Sequence, residues 1–211
     1  MQPSPRPIVC LGDSITAGKS VGVNRRWTSR LQSALDEFAA DRWEVYTRGV
    51  PGETVVQGLQ RFEKDVAPLL PALVLVEFGL NDCCHLPDRR IPRTGIEEFQ
   101  VHLEEIVRLV IQGGGRPVLL TNHPTAPGLR EETSGLPLAE KLAYYQETIR
   151  RVAKNHRTGL LDLERGVGSS WTHLCLTKDG IHLTPEGHDI YGRVVFRELL
   201  PILKEASACN P

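Results

Sequence analysis

Short apolar runs alternate along the chain with longer stretches whose apolar residues recur every three or four positions. Continuous apolar runs are typical of buried parallel strands, whereas the three-to-four spacing is typical of amphipathic helices. On this pattern we predict strands over residues 7–11, 43–48, 72–78, 116–121 and 159–163. We predict helices over residues 26–40, 55–66, 95–112, 137–155 and 185–206.

The predicted strands and helices alternate throughout, which indicates an α/β protein. Such alternation predicts one parallel sheet with helices packed on both of its faces. The favoured strand order is 2-1-3-4-5, which places a functional site at the carboxyl edge of the sheet beside strand 1. The 211 residues contain no linker rich in Gly or Ser and no block of charge, so we predict a single domain over residues 1–211.

A tight polar turn that contains Gly12, Asp13 and Ser14 directly follows the first apolar run. At the carboxyl end of a strand and before a helix, backbone N–H groups and the helix dipole favour a developing negative charge. Ser14 is therefore a candidate nucleophile. Taken alone, the turn is equally consistent with an Asp13 and a Ser14 that only close a turn or cap a helix.

A second candidate segment, Asp179-Gly180-Ile181-His182, lies near the end of the chain, just before a helix start at Thr184-Pro185. The spacing of three lets the Asp179 carboxylate reach the Nδ1–H of His182. The ring would then keep Nε2 free to accept a proton from a serine. His188 lies six residues further on, and we interpret it as a packing or supporting residue inside the following helix.

Two more polar segments follow strand-like runs. Gly52 comes after the second predicted strand, and Asn81 comes after the third. A glycine lets its backbone N–H approach a ligand closely, and an asparagine amide can donate to an oxyanion without carrying a charge.

Taken together, these segments resemble the four blocks of the SGNH (GDSL-type) hydrolase family. They occur in the order of the family and spread from residue 12 to residue 182. The matching segments are Gly12-Asp13-Ser14-Ile15, Gly52 in Gly-Glu-Thr, Gly79-Leu80-Asn81-Asp82 and Asp179-Gly180-Ile181-His182. One departure is Arg48, where many members carry Asn, but that position is not catalytic in the family.

The resemblance implies a flavodoxin-like three-layer α/β/α fold and ester hydrolysis through an acyl-serine. It implies Ser14 as the nucleophile, His182 as the base and Asp179 as the residue that orients the base. The oxyanion hole would combine the backbone N–H groups of Ser14 and Gly52 with the side chain of Asn81. We expect no metal and no cofactor, and a small-molecule ester as the substrate, with short acyl or O-acetyl groups favoured.

Composition narrows the partners and the compartment. With 25 basic and 26 acidic residues the net charge is −1, which does not favour nucleic acid or anionic membranes as partners. The start, Met1 to Pro7, has no apolar core of a signal peptide, and no apolar run is long enough to span a bilayer. Five cysteines without paired spacing favour reduced thiols, so we expect a cytoplasmic protein. The run Cys83-Cys84-His85 could suggest zinc, but adjacent cysteines chelate one ion poorly.

Two stretches without periodicity, residues 83–95 and 123–136, follow strand ends, so we expect both to overhang the active site and to shape specificity. His123 and Trp171 are candidate pocket walls, and the alternative for each is packing without substrate contact. The oligomeric state is not readable from the sequence.

Other functions stay open beside the main hypothesis. Ser20 lies in a GxSxG pattern, but no strand directly precedes it, as the nucleophile elbow of α/β-hydrolases would require. The same fold could serve a non-catalytic binding module, or a phosphate or flavin binder, although the first turn lacks the glycine patterns of such sites. Lysophospholipase, thioesterase and acyltransferase activities would use the same catalytic residues.

Overall fold

The computed structural model describes residues 5–86, 88, 91–168, 171 and 173–208. Its centre is a five-stranded sheet in the order β2-β1-β3-β4-β5, and every neighbouring pair is parallel. The strands are β1 (Arg6–Gly12), β2 (Trp43–Gly49), β3 (Leu73–Glu77), β4 (Arg116–Leu120) and β5 (Gly159–Leu161). The predicted fold class and strand order are confirmed. Because β1 lies between β2 and β3, the order reverses there, and the carboxyl ends of these strands border a crevice.

Four of the five predicted helices, those over 26–40, 95–112, 137–155 and 185–206, are present as long helices whose boundaries differ by one to a few residues. Within the described residues the helices are α1 (Ser14–Ala17), α2 (Trp27–Phe38), α3 (Val55–Gln60), α4 (Phe62–Asp65), α5 (Ile96–Gln112), α6 (Leu138–His156), α7 (Leu163–Gly166) and α8 (Pro185–Ala208). Short 3₁₀ turns cover Val23–Arg25, Ala67–Leu69 and His173–Cys175. The strand predicted over 159–163 ends at Leu161, because Asp162 and the following residues turn into α7.

The prediction of one helix over 55–66 was wrong, because the helix breaks at Arg61 into α3 and α4. The Arg61 guanidinium donates to the backbone carbonyls of Gly12 and Arg48, each at 2.9 Å, where β1 and β2 end. It also pairs with Glu53 and Asp65. These contacts with the sheet fix Arg61 in a non-helical conformation, and apolar periodicity carries no signal of them.

Helices cover both faces of the sheet, as the alternation predicts. On one side α2 packs against α8, where the rings of Trp27 and Tyr191 lie 5.2 Å apart. On the other side α5 packs against α6, with Phe99 and Tyr145 at 5.0 Å. Both central strands that border the crevice, β1 and β3, are almost entirely buried. A rigid pair of strands therefore carries the loops that hold the candidate site. Among the described residues, no helix combines the length and apolarity that crossing a bilayer requires.

Candidate active site

Three side chains predicted from distant segments meet at the carboxyl edge of the sheet. The hydroxyl of Ser14 lies 3.0 Å from Nε2 of His182. On the other side of the ring, Nδ1 of His182 lies 2.6 Å from Oδ2 of Asp179. A carboxylate partner fixes the proton on Nδ1, so Nε2 is the atom that accepts from Ser14. The structure thus brings together the three residues of the predicted triad in a continuous hydrogen-bonded chain.

Ser14 is positioned by the abrupt change from β1 to α1. Asp13 caps the new helix, and its Oδ1 accepts from the N–H of Ile15 at 2.9 Å. Gly12 is required where the chain turns, because a Cβ there would lie 2.4 Å from Oγ1 of Thr16 and 2.8 Å from the carbonyl of Glu77. The turn leaves Ser14 only 7% exposed, at the rim of the crevice.

The loop that carries Asp179 and His182 is held by its own hydrogen bonds. Oδ1 of Asp179 accepts from the N–H groups of Ile181 and His182, both at 2.9 Å, and from the hydroxyl of Thr177 at 2.8 Å. Gly180, at φ +72, makes the turn that this geometry needs. Partial burial acts to raise the pKa of Asp179, but these donors and the His182 ring outweigh it and hold that pKa well below its ordinary range. Asp179 is therefore ionised at neutral pH and can stabilise a protonated His182 ring.

The two predicted oxyanion segments lie across from each other beside Ser14. Nδ2 of Asn81 donates to the carbonyl of Glu53 at 3.0 Å and to Oδ2 of Asp13 at 3.1 Å. Gly52 has a φ of +82 and open space where a Cβ would stand. The hydrogen bonds of Asn81 therefore tie the Gly52 loop and the turn before Ser14 to the end of β3.

Asp82 is a structural residue whose role the sequence interpretation missed. Its Oδ1 accepts from the N–H of Val55 at 3.0 Å, and its Oδ2 accepts from the N–H of Gly79 at 2.9 Å. Burial raises the pKa of Asp82 to about 6, against the effect of these donors. The available signal in the sequence was the position of Asp82 directly after Asn81, in the segment that matches the third block of the family. The carboxylate bridges the two loops that flank Ser14 and so fixes their separation.

A second carboxylate, Glu77, lies buried beneath the turn that carries Ser14. It accepts from the hydroxyl of Thr16 at 2.9 Å and from the hydroxyl of Tyr191 at 2.7 Å. Burial raises the pKa of Glu77 to about 7, and burial together with the nearby Glu77 raises the pKa of Asp13. An acidic residue inside the apolar run of β3 was the signal in the sequence. The position of Glu77 indicates that it holds α1 against the sheet and α8.

The candidate histidines His123 and His188 are buried, whereas Trp171 is partly exposed and lines a cleft with Thr177 and Gly180. His188 is buried, and its Nδ1 accepts from the N–H of Trp27 at 3.2 Å, which confirms the packing interpretation. His123 is also buried; its Nε2–H donates to the carbonyl of Ile181 at 2.8 Å, and its ring lies 5.1 Å from that of Trp171. Burial lowers the pKa of both histidines to about 4. His123 therefore supports the loop of Asp179 and His182 as a neutral ring.

The GxSxG pattern does not form a nucleophile elbow. Ser20 is exposed in the turn after α1, with a φ of +82, and α1 rather than a strand precedes it. An elbow needs a strand directly before the serine. This geometry leaves Ser14 as the serine next to His182.

The two aperiodic loops meet beside the triad, as predicted. His85 in the first loop lies 3.5 Å, from Nδ1 to Oε2, from Glu131 in the second. Both Cys83 and Cys84 direct their sulfur atoms to the carbonyl of Leu80, at 3.3 and 3.2 Å. A cleft of about 470 Å³ lies between the loops and reaches the catalytic segment. The loops therefore form one side of a cleft beside the candidate catalytic residues.

Comparison with known proteins decides the family. A family model described as the GDSL-like Lipase/Acylhydrolase family matches residues 10–190. The chain belongs to this family. The predicted resemblance and the predicted class, an ester-hydrolysing enzyme, are thereby confirmed at the level of the family.

Individual relatives agree with this assignment. An arylesterase from Vibrio mimicus is 29% identical over 66% of this chain and 66% of its own length. Esterase TesA from Pseudomonas aeruginosa is 32% identical over 38% of this chain and 40% of its own length. The chain thus matches about two thirds of one curated relative and less than half of the other. The structure of a lipase/acylhydrolase from Enterococcus faecalis has a TM-score of 0.78 at 26% identity, covering 93% of this chain and 96% of that one.

Proposed function

We propose that this protein hydrolyses carboxylic esters with short acyl groups through an acyl intermediate on Ser14. The observation that carries the proposal is the continuous chain from Ser14 Oγ through the His182 ring to Asp179, with steps of 3.0 and 2.6 Å. A serine hydroxyl is a weak nucleophile by itself, and an adjacent base aligned by a third group is what activates it.

The chemistry runs in two halves. Ser14 Oγ attacks the ester carbonyl while Nε2 of His182 accepts the hydroxyl proton, and the protonated ring then gives that proton to the departing alkoxide. A water molecule attacks the acyl-serine in the second half, again with its proton taken by His182, and Ser14 leaves as the restored hydroxyl. Asp179 stays ionised throughout and stabilises the charged ring.

The tetrahedral oxyanion would be bound by three donors, namely the N–H groups of Ser14 and Gly52 and the side-chain amide of Asn81. The two hydrogens of the Asn81 amide already have acceptors, Glu53 and Asp13. An oxyanion carries more charge than the Glu53 carbonyl, so it would compete for or share that hydrogen as the transition state forms.

The crevice beside the candidate catalytic residues has room for a small substrate. The cleft between the loops has a volume of about 470 Å³ and is lined in part by Leu86, Leu129, Leu138 and Ile181. A space of this size can hold a drug-sized ligand, so a short acyl group or a small alcohol fits within it. Lysophospholipids and thioesters, and transfer of the acyl group to an acceptor other than water, use the same residues and remain alternatives. A cytoplasmic location stays a prediction, with which the free thiols of Cys10, Cys83 and Cys84 agree.

An ester panel tests the proposal. Wild type and Ser14→Ala are compared on para-nitrophenyl esters of increasing acyl length, and an added alcohol reveals transfer by the product it forms. We expect the highest kcat/KM on the short esters and loss of turnover in Ser14→Ala. Full activity of a folded Ser14→Ala protein would refute the mechanism, and a maximum at long acyl chains would refute the substrate class.

A further inference from the structure

The cleft between the described residues of segments 83–95 and 123–136, here named the loop cleft, carries two cations beside the segment of Asp179 and His182. Arg93 and Arg130 line it together with Asp179 and Ile181 of the catalytic loop. Apolar side chains, among them Leu86, provide much of the remaining surface. A charged ligand bound there would be partly removed from water, and this strengthens an ion pair with a guanidinium.

The acidic residues that line the loop cleft are mostly satisfied by other partners. Glu131 accepts from Lys141 at 3.0 Å, from the hydroxyl of Ser134 at 2.5 Å and from nearby backbone N–H groups. These contacts hold the pKa of Glu131 below its ordinary range, although partial burial acts against them. Asp179 is engaged by His182. The third acid, Glu132, is exposed to solvent.

The two arginines, in contrast, bind only backbone carbonyls among the described contacts. Arg93 donates to the carbonyl of Gly52 at 2.8 Å, and Arg130 donates to that of Gly135 at 2.6 Å. No carboxylate of the described residues lies within 4.0 Å of either guanidinium. A guanidinium has five donors in a planar fork that matches a carboxylate, so most of this capacity is unused by the protein.

We propose that the loop cleft is a recognition subsite for a carboxylate group carried by the ester substrate, and that Arg93 is the specificity-determining residue. The proposal rests on the proposed ester hydrolysis and narrows its substrate to acidic esters. Arg93 is the better placed of the two cations, because its contact with Gly52 puts it next to the proposed oxyanion donor. A carboxylate on Arg93 would align the ester carbonyl with Ser14 through one charge-assisted fork.

The closest competing role for Arg93 is purely structural, namely to hold the Gly52 loop. The two roles differ in what they do to neutral esters. A structural role lowers turnover of every ester equally, whereas a recognition role changes the preference for the acidic one.

The test uses pairs of esters that differ in one carboxylate. On the acyl side, the para-nitrophenyl monoester of adipic acid is compared with para-nitrophenyl heptanoate, with spontaneous hydrolysis subtracted. On the alcohol side, para-acetoxybenzoate is compared with phenyl acetate. We expect wild type to prefer the acidic member by about ten- to hundred-fold in kcat/KM in one of the two arms, as a charge-assisted hydrogen bond provides. The arm that shows the preference identifies which half of the ester enters the loop cleft.

Three variants separate the roles. Arg93→Gln should remove most of the preference, Arg93→Lys should keep part of it, and Arg108→Gln should leave it unchanged. Arg108 is a matched control because it lies exposed on α5 and pairs with Glu105, away from the loop cleft. The preference should also weaken as salt is added, since screening reduces attraction between charges.

Two results would overturn the proposal. One is a wild type without preference for the acidic ester in either arm, and the other is an Arg93→Gln protein that loses activity equally on acidic and neutral esters. Melting temperatures with added adipate and para-hydroxybenzoate supply a readout without turnover. If these carboxylates raise the melting temperature of wild type but not that of Arg93→Gln, the subsite is supported even if no ester is cleaved. In that case only the proposed hydrolysis fails.

Discussion

The side-chain amide of Asn81 donates to the carboxylate of Asp13 at 3.1 Å. Asp13 is fully buried immediately before Ser14, and its other oxygen accepts from the N–H of Ile15 at 2.9 Å. One carboxylate thus holds both the turn that presents Ser14, the proposed nucleophile, and the amide proposed to bind the oxyanion. It links the end of β1 to the end of β3 and so fixes the position of Ser14 relative to the Asn81 amide.

Asp13→Asn should lower kcat with little effect on KM. An amide offers one acceptor and one donor where the carboxylate offers two acceptors. Either the Asn81 amide or the Ile15 N–H would then face another N–H group. Loss of one such hydrogen bond to a charged group corresponds to about a ten- to hundred-fold drop in kcat. Steady-state kinetics and the melting temperature, measured on the same preparation, check this.

A double-mutant cycle distinguishes positioning from general damage. If Asp13 acts through Asn81, Asp13→Asn should cost much less in the Asn81→Ala background than in wild type. Additive losses of kcat in the double variant would show that Asp13 acts independently of Asn81.

Asn81→Ala should lower kcat by ~100- to 1000-fold, which is the typical cost of one oxyanion donor, and should change KM less. Asn81→Asp should be at least as harmful, because a carboxylate repels the developing charge. The measurement is kcat together with the melting temperature. An Asn81→Ala protein that melts markedly earlier but turns over at nearly the wild-type rate would show that Asn81 only supports the turn.

Ser14→Ala should abolish turnover while the protein stays folded, because removal of a nucleophile costs several powers of ten in rate. Ser20→Ala is the matched control, since Ser20 lies exposed beyond α1 and outside the chain of hydrogen bonds to His182. Labelling with a fluorophosphonate should modify wild type and Ser20→Ala but not Ser14→Ala. Retention of more than about a tenth of the wild-type kcat by Ser14→Ala would exclude it as the nucleophile.

Asp179→Asn should be less damaging to ester hydrolysis than His182→Ala. The amide oxygen can still accept the loop N–H groups that Asp179 Oδ1 now accepts, so the loop keeps its shape. The ring loses its anionic partner and its fixed tautomer, but a proton acceptor remains. Parallel kcat values for the two variants check this. An Asp179→Asn protein as inactive as His182→Ala would show that the imidazole cannot work without its carboxylate.

Buried His123 should make stability depend on pH below neutrality. Burial lowers its pKa to about 4, whereas a histidine in the unfolded chain titrates near ~6.5. Between these values the unfolded state binds a proton that the folded state does not, so acidification lowers the free energy of unfolding by at most ~1.4 kcal/mol per pH unit. His188 acts in the same direction.

His123→Gln tests this dependence, because the amide can keep the donor to the Ile181 carbonyl but cannot titrate. Its melting temperature should fall less than that of wild type between roughly pH 6.5 and pH 4. His102→Gln, at a partly exposed position of α5, is the matched control and should follow wild type. If the melting temperatures of wild type and His123→Gln fall equally with pH across this range, the effect assigned to the burial of His123 is contradicted.

The sequence by itself determined the sheet and the candidate catalytic residues. Apolar runs mark β1 and β3 because a strand buried on both faces must be apolar throughout. Four short polar segments identified Ser14, Gly52, Asn81 and the pair Asp179 and His182, because turns at strand ends carry their chemistry in consecutive residues. The spacing of three between Asp179 and His182 is a local property, and the structure shows the hydrogen bond that it predicted.

Only the tertiary structure decided which side chains support these groups and from where. The contacts of Arg61 with two strand ends, of Asp82 with Val55, of Asp13 with Asn81 and of His123 with Ile181 join residues far apart in the chain. Such contacts depend on how strands and loops are placed beside one another, and no local periodicity encodes that placement. The same placement decides that Arg93 and Arg130 bind backbone carbonyls and no carboxylate of the described residues, because an arginine in a sequence does not reveal whether an acid lies nearby.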